Sequence, residues 1–128
     1  MGRLAYKGRV LVEGSAEGEA VVVETLSFYG DVDPERGVMV DGRRIDGRIL
    51  LARRSRGSTV GSYVIYALKV NGKAPLAILM ERSEPIVVAG AVLAGIPLVD
   101  SLPRELFDVV RDGYRVRVSH GVVEVIVD

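Results

Sequence analysis

The chain has no cysteine and no glutamine, one asparagine, one histidine and only three lysines. Each shortage removes a class of chemistry. Without cysteine there is no disulfide, no thiolate for zinc and no ligand for an iron–sulfur cluster, so any such cluster must belong to a partner. The lone histidine, His120, stands beside Gly121 in an expected hairpin turn. A metal site or a Ser–His couple would need company it lacks, so it reads as structural or simply exposed, and no metal ligand is expected in this chain. Few amides and no thiols, with fourteen arginines, fit a hot habitat.

Long apolar runs are also missing. The longest uncharged stretch, Pro85 to Val99, is fifteen residues and is broken by Gly90, Gly95 and Pro97. About 20 residues are needed to span a bilayer, so this stretch reads as a buried helix followed by a strand. The N-terminal Met1-Gly2-Arg3-Leu4-Ala5-Tyr6-Lys7 has no apolar core of the kind a signal peptide needs, which points to the cytoplasm.

What is present is a chain of 128 residues, 48% hydrophobic, with formal net charge zero. That length suits one domain, residues 1–128, burying roughly two thirds of its unfolded surface. Nothing in the net charge argues for nucleic acid or an anionic membrane. The charge is nevertheless segregated. From Glu13 to Glu35 there are seven acids and no Lys or Arg, whereas Arg43, Arg44, Arg48, Arg53, Arg54 and Arg56 crowd the next segment against Asp46 alone. The two patches could simply pair with each other across the surface.

The densest chemistry lies in Arg53-Arg54-Ser55-Arg56-Gly57-Ser58-Thr59-Val60-Gly61-Ser62, between the apolar Ile49-Leu50-Leu51 and the run Tyr63-Val64-Ile65-Tyr66-Ala67-Leu68. Ser58 is a suitable N-cap, helical spacing follows, and Asn71-Gly72 is a stop signal. The first N–H groups of such a helix have no intrahelical partner and carry the positive end of its dipole, so they can receive a carboxylate or phosphate. Gly61 would lower helix propensity but let another group approach the backbone. The plainer alternative is that Ser58 caps a core helix and Gly57 eases a turn.

Strands are expected at residues 9–12, 20–23, 49–51, 76–80, 97–99, 114–118 and 122–127. Helices are expected after Ser58, over 85–93 and over 103–107. Hairpins at both ends and a β-α-β-α-β middle make a mixed α/β domain. Residues 25 to 47 form a long irregular segment with a turn at Asp33-Pro34-Glu35-Arg36-Gly37. Within it, Phe28, Tyr29 and Asp31 place two aromatics and an acid where a partner could bind, in a chain only 5% aromatic. Phe28 could instead pin the loop to its own core, with Tyr29 outward.

In order and spacing, the segments Ser27–Pro34, Gly47–Leu51, Arg56–Ser62, Ala74-Pro75 and Glu84–Ala91 resemble the aconitase X swivel-domain family. The resemblance covers nearly the whole chain. It departs at Tyr29, where tryptophan or leucine is common, and at Arg53, in a stretch where many members carry proline. It implies a swivelling β/β/α domain, docked on a larger, cysteine-bearing subunit that holds a [4Fe–4S] cluster. The reaction it implies is a hydro-lyase step of an archaeal mevalonate route to isoprenoids: loss of water from (R)-5-phosphomevalonate to give trans-anhydromevalonate 5-phosphate. In that chemistry a serine on the swivel domain removes the proton alpha to the carboxylate. Ser58 matches that position, with Ser62 the second candidate. A free serine is a weak base, so its alkoxide would need helix N–H groups and arginine charge in a closed cleft. Arg54, Arg56, Gly57, Thr59, Gly61 and Ser62 are then the candidate contacts to substrate, arginine offering a two-pronged fork. Two alternatives remain open. One is another aconitase X dehydratase, such as one acting on hydroxyproline; the other is a non-catalytic anion-binding domain.

Overall fold

The computed structural model describes residues 2–57 and 60–127. Three layers stack in the order sheet, sheet, helices. The inner sheet holds four parallel strands: the second half of β3 (Ala16–Leu26), β6 (Ile49–Ser55), β7 (Ala77–Met80) and β8 (Leu98–Asp100). On its far edge β2 (Arg9–Val12) runs antiparallel to β8. The outer sheet pairs the first half of β3 with β9 (Arg115–Ser119), β10 (Val122–Val127) and β1 (Gly2–Lys7), all antiparallel.

Burial explains the layering. Ile49 through Ala52 and Ala77 through Met80 are fully buried, the continuous apolar runs of strands covered on both faces. One face, with Ile49, Leu51, Ala77 and Leu79, packs on Val116, Val118, Val123 and Val125 of the outer sheet and on α4 (Arg104–Val109). The other face, with Leu50, Ala52, Ile78 and Met80, meets α2 (Gly61–Val70) and α3 (Pro85–Ala94) through Ile65, Leu68, Val87 and Ala91. Helix α3 starts with Pro85 in its first turn, where a missing N–H costs nothing, and ends on Gly95 at φ 66°.

β3 serves both sheets, with Ala16–Glu19 on β9 and Ala20–Leu26 on β6. At Gly8, where β1 becomes β2, a side-chain carbon would stand 2.5 Å from the Asp100 carbonyl oxygen, so only glycine fits the crossing. The central β-α-β-α-β run and the C-terminal hairpin match the sequence expectation. The N-terminal hairpin does not form: β2 pairs with β8 and β3 with β9 and β6, because 9–12 and 20–26 take opposite edges of the inner sheet with β6, β7 and β8 between them. β1, unexpected from the sequence, covers the outer edge.

The long segment after β3 is ordered by local bonds. Ser27 caps the short helix α1 (Phe28–Asp31), its Oγ accepting from the Gly30 N–H, while the Asp31 carboxylate accepts the Ser27 N–H at 2.8 Å. A two-stranded ribbon follows, β4 (Val32–Asp33) with β5 (Val38–Met39), turned at Gly37 with φ 68°. No helix among the described residues is long and apolar enough to cross a membrane.

Candidate functional site

Because β3, β6, β7 and β8 run in parallel, their carboxyl ends meet at one edge, the usual place for a ligand in an open α/β sheet. That edge gathers Ser27, Arg54 to Gly57, Glu81 to Glu84 and Asp100-Ser101.

Alternation along β6 separates its two arginines. Arg53 points inward and is only 7% exposed. Its Nε and Nη2 donate to Glu81 Oε1 at 3.0 and 2.8 Å, and Nη1 donates to Glu24 Oε1 at 3.0 Å. The Arg53 carbonyl accepts both the Glu81 and Arg82 N–H groups at 3.1 Å. Arg53 therefore ties the ends of β6 and β7 together and is not available to a ligand. Arg54 and Arg56 are exposed and, among the described residues, make no ion pair. Arg82, which the motif reading missed, is a third exposed arginine there. Elsewhere the basic segment is neutralised locally: Arg43 by Asp41 and Asp112, Arg44 and Arg48 by Asp46. Of the acids from Glu13 to Glu35, Glu24 alone reaches the basic segment among the described residues, through Arg53.

Ser58 and Thr59 lie outside the described residues, and so does the proposed cap at Ser58. Helix α2 itself begins at Gly61, with Val60 in the cap position and no side-chain cap bond. That start falls three residues after Ser58, later than the spacing suggested. Gly61 is buried, and a side-chain carbon there would first meet Phe28 Cβ at 4.0 Å. Among the described residues, then, nothing crowds it. Ser62 is half-buried on the first turn of α2 and lines an open groove of about 460 Å³ with Tyr63, Tyr66 and Leu93. Gly90 of α3 seats that turn: a carbon on it would stand 3.0 Å from Ser62 Cα and 2.9 Å from Ile65 Cδ1.

Two further contacts frame the loop. Ser55 Oγ donates to Glu84 Oε1 at 2.8 Å, and Glu84 Oε2 stands 3.2 Å from where a carbon on Gly57 would lie. Asp100, 2% exposed, accepts from Ser83 Oγ at 2.6 Å, from Ser101 Oγ and from two nitrogens of Arg9. Burial pushes the Asp100 carboxyl up, but the bonds from Arg9 and Ser83 outweigh it and hold it below the ordinary aspartate range.

Of the loop residues expected to meet a partner, Tyr29 is 64% exposed and Phe28 only 3%. Phe28 is thus a core residue that pins α1, and its place on a contact surface is corrected by its burial. Asp31 is half-buried and engaged by the Ser27 N–H. Tyr63, Tyr66, Val92 and Leu93 add exposed apolar surface on α2 and α3 that the motifs did not signal.

The donor set does not suit an iron–sulfur cluster. The chain has no thiolate, and among the described residues no three His, Asp or Glu side chains converge as metal ligands.

Residues 5–125 match the family model for the aconitase X swivel domain. The chain belongs to the aconitase X swivel domain family. A phosphomevalonate dehydratase small subunit from Aeropyrum pernix is 68% identical, over 96% of this chain and 94% of that one. A protein of the same name from Thermococcus onnurineus is 50% identical, over 95% and 98% of the two chains. A crystal structure of Thermococcus kodakaraensis aconitase X in its holo-form superposes with a TM-score of 0.90 at 46% identity, covering 97% of this chain and 99% of that one. The β/β/α layering described above is thus that of an aconitase X swivel domain.

Proposed function

We infer that this chain is the small subunit of a phosphomevalonate dehydratase, a hydro-lyase, working in the cytoplasm of an archaeon as a single swivel-type domain docked on a larger subunit. What carries the reading is likeness along almost the full length of both chains to proteins of that name, at 68% identity in one of them. The edge of the sheet supports it. Arg54 and Arg56 stand exposed and, among the described residues, unengaged by carboxylates, as forks for a carboxylate and a phosphate require.

In this reading Ser58 accepts the proton alpha to the substrate carboxylate, and Ser62 is the second candidate. Arg54 and Arg56 hold the substrate's two anionic ends, with Gly57, Thr59, Gly61 and Ser62 completing the contact. The arginines also lower the cost of the serine alkoxide once the cleft is closed to water. A [4Fe–4S] cluster, whose chemistry would be to draw off the departing hydroxyl, is held by the cysteine-bearing larger subunit.

The test is to purify the chain alone and with its larger partner, and to offer each (R)-5-phosphomevalonate or hydroxyproline. The complex should release water from the phosphorylated acid, and the chain alone should be colourless and turn over neither. Dehydration of hydroxyproline in place of phosphomevalonate would overturn the substrate. Stoichiometric iron in the isolated chain would overturn the division of labour.

A further inference from the structure

We propose that Glu84 is a positioning residue for the loop from Ser55 to Ser62, acting through the hydroxyl of Ser55. The proposal rests on the reading above for what that loop does. It stands on where the Glu84 carboxylate is directed. Glu84 occupies the N-cap position of α3, where a shorter Asp or Ser side chain would turn back to accept the helix's own N–H groups. Here it makes no such bond. The Glu84 carbonyl accepts from Val87 and Val88, which fixes its backbone to the helix, and the side chain reaches across to β6 instead. There Oε1 takes the Ser55 hydroxyl at 2.8 Å and Oε2 closes over Gly57 at 3.2 Å from its missing side chain.

The same helix touches the loop again further along, where Gly90 lies against Ser62 Cα. Helix α3 thus grips the described part of the loop at both ends. Charge points the same way. Exposed Arg54, Arg56 and Arg82 share this edge, yet Glu84 forms no ion pair with them among the described residues. Among the described residues its side chain's hydrogen bond goes to a neutral hydroxyl, so its contact sets geometry and is not an ion pair with those cations.

The test uses the complex with its larger subunit, in four variants: Glu84→Gln, Glu84→Ala, Ser55→Ala and the Glu84→Ala/Ser55→Ala double. Glutamine keeps a carbonyl oxygen for the Ser55 hydroxyl, so its kcat should stay within about 3-fold of the parent. Alanine at either position should lower kcat by about 10²-fold with a smaller change in KM, as expected when a reacting group is misplaced by an ångström or so. Because the two residues act as one unit, the double should be no worse than the poorer single. Amide exchange across residues 54–62 should quicken in both alanine variants and not in Glu84→Gln. If Glu84→Gln is as poor as Glu84→Ala and the acid limb of the pH profile disappears, Glu84 acts by its charge and the proposal is wrong. Additive losses, or exchange unchanged in Glu84→Ala, also overturn it. The exchange readout needs no turnover, so a complex inactive on phosphomevalonate would sink the functional reading while still deciding what Glu84 holds.

Discussion

Arg9 and Asp100 face each other across the edge of the inner sheet, Nε to Oδ1 and Nη2 to Oδ2, both at 3.0 Å. The carboxylate is buried and the guanidinium largely exposed. This asymmetry decides which partner matters more. Without Arg9, Asp100 would remain buried with only hydroxyls for company; without Asp100, Arg9 would return to water.

The pair therefore contributes to how the protein responds to acid, beside Asp41 and Asp46, which their arginine partners also hold below the ordinary range. The folded-state pKa of Asp100 lies below its ordinary 3.8, so its stabilisation is present above 3.8 and is lost as pH falls through the lower folded value. In Arg9→Met the upward push of burial loses its main opponent, and the loss should begin at higher pH. Urea midpoints measured from pH 7 down to pH 3 should show the variant's curve displaced upward in pH. Coincident curves would mean that the pair contributes nothing.

A second prediction separates the serines. Ser58→Ala should lower kcat by about 10³-fold or more with the complex and substrate binding intact, because the loss falls on the transition state. Ser62→Ala should be milder and appear chiefly in KM. Solvent-deuterium exchange at the substrate's alpha carbon checks the assignment independently of dehydration. Exchange surviving in Ser58→Ala but lost in Ser62→Ala would reverse the two roles.

Glycine substitutions test the packing of α2. Gly90→Ala forces a carbon to 3.0 Å from Ser62 Cα, and overpacking of this kind typically costs about 1–3 kcal/mol. Among the described residues Gly61→Ala meets nothing nearer than 4.0 Å in a helical turn, and it should raise stability by about 0.5 kcal/mol. Thermal melts rank the two. Activity lost in Gly61→Ala without loss of melting temperature would show that a ligand approaches that backbone closely.

The neighbours Phe28 and Tyr29 should fail in different assays. Phe28→Ala empties a core site and should cost about 3–5 kcal/mol of folding stability. Tyr29→Ala should leave stability nearly unchanged and weaken association with the larger subunit by about 1–3 kcal/mol if the ring anchors the contact. Denaturation and co-elution of the subunits read the two effects separately.

Much of the inner sheet was legible because its strands are buried on both faces and appear as unbroken apolar runs, such as Ala77 to Met80. Pro85 and Gly95 marked the ends of α3 by their backbone chemistry alone. The N-terminal half was harder. Adjacent strands suggest a hairpin, but residues 9–12 and 20–23 stand at opposite edges of the inner sheet with three strands between them, and β1 is exposed along most of its length, with no alternation to read. At the site, Arg54 and Arg56 were expected at a ligand and Arg53 stood out only as a departure from the family pattern. Strand alternation, which turns Arg53 inward and Arg54 outward, was the available signal. Glu84 gave none, since it meets Ser55 from 29 residues away.

The layers are stitched along both borders, once by the shared strand β3 and once where β1 turns into β2 at Gly8. The two sheets are thus joined through the chain itself at both borders. At the end of β6, Arg53 is fixed to that frame by Glu24 and Glu81, and Ser55 by Glu84. On the function proposed above, opening to admit substrate and closing to expel water would fall to the whole unit tilting against its larger partner, carrying its half of the cleft as one jaw.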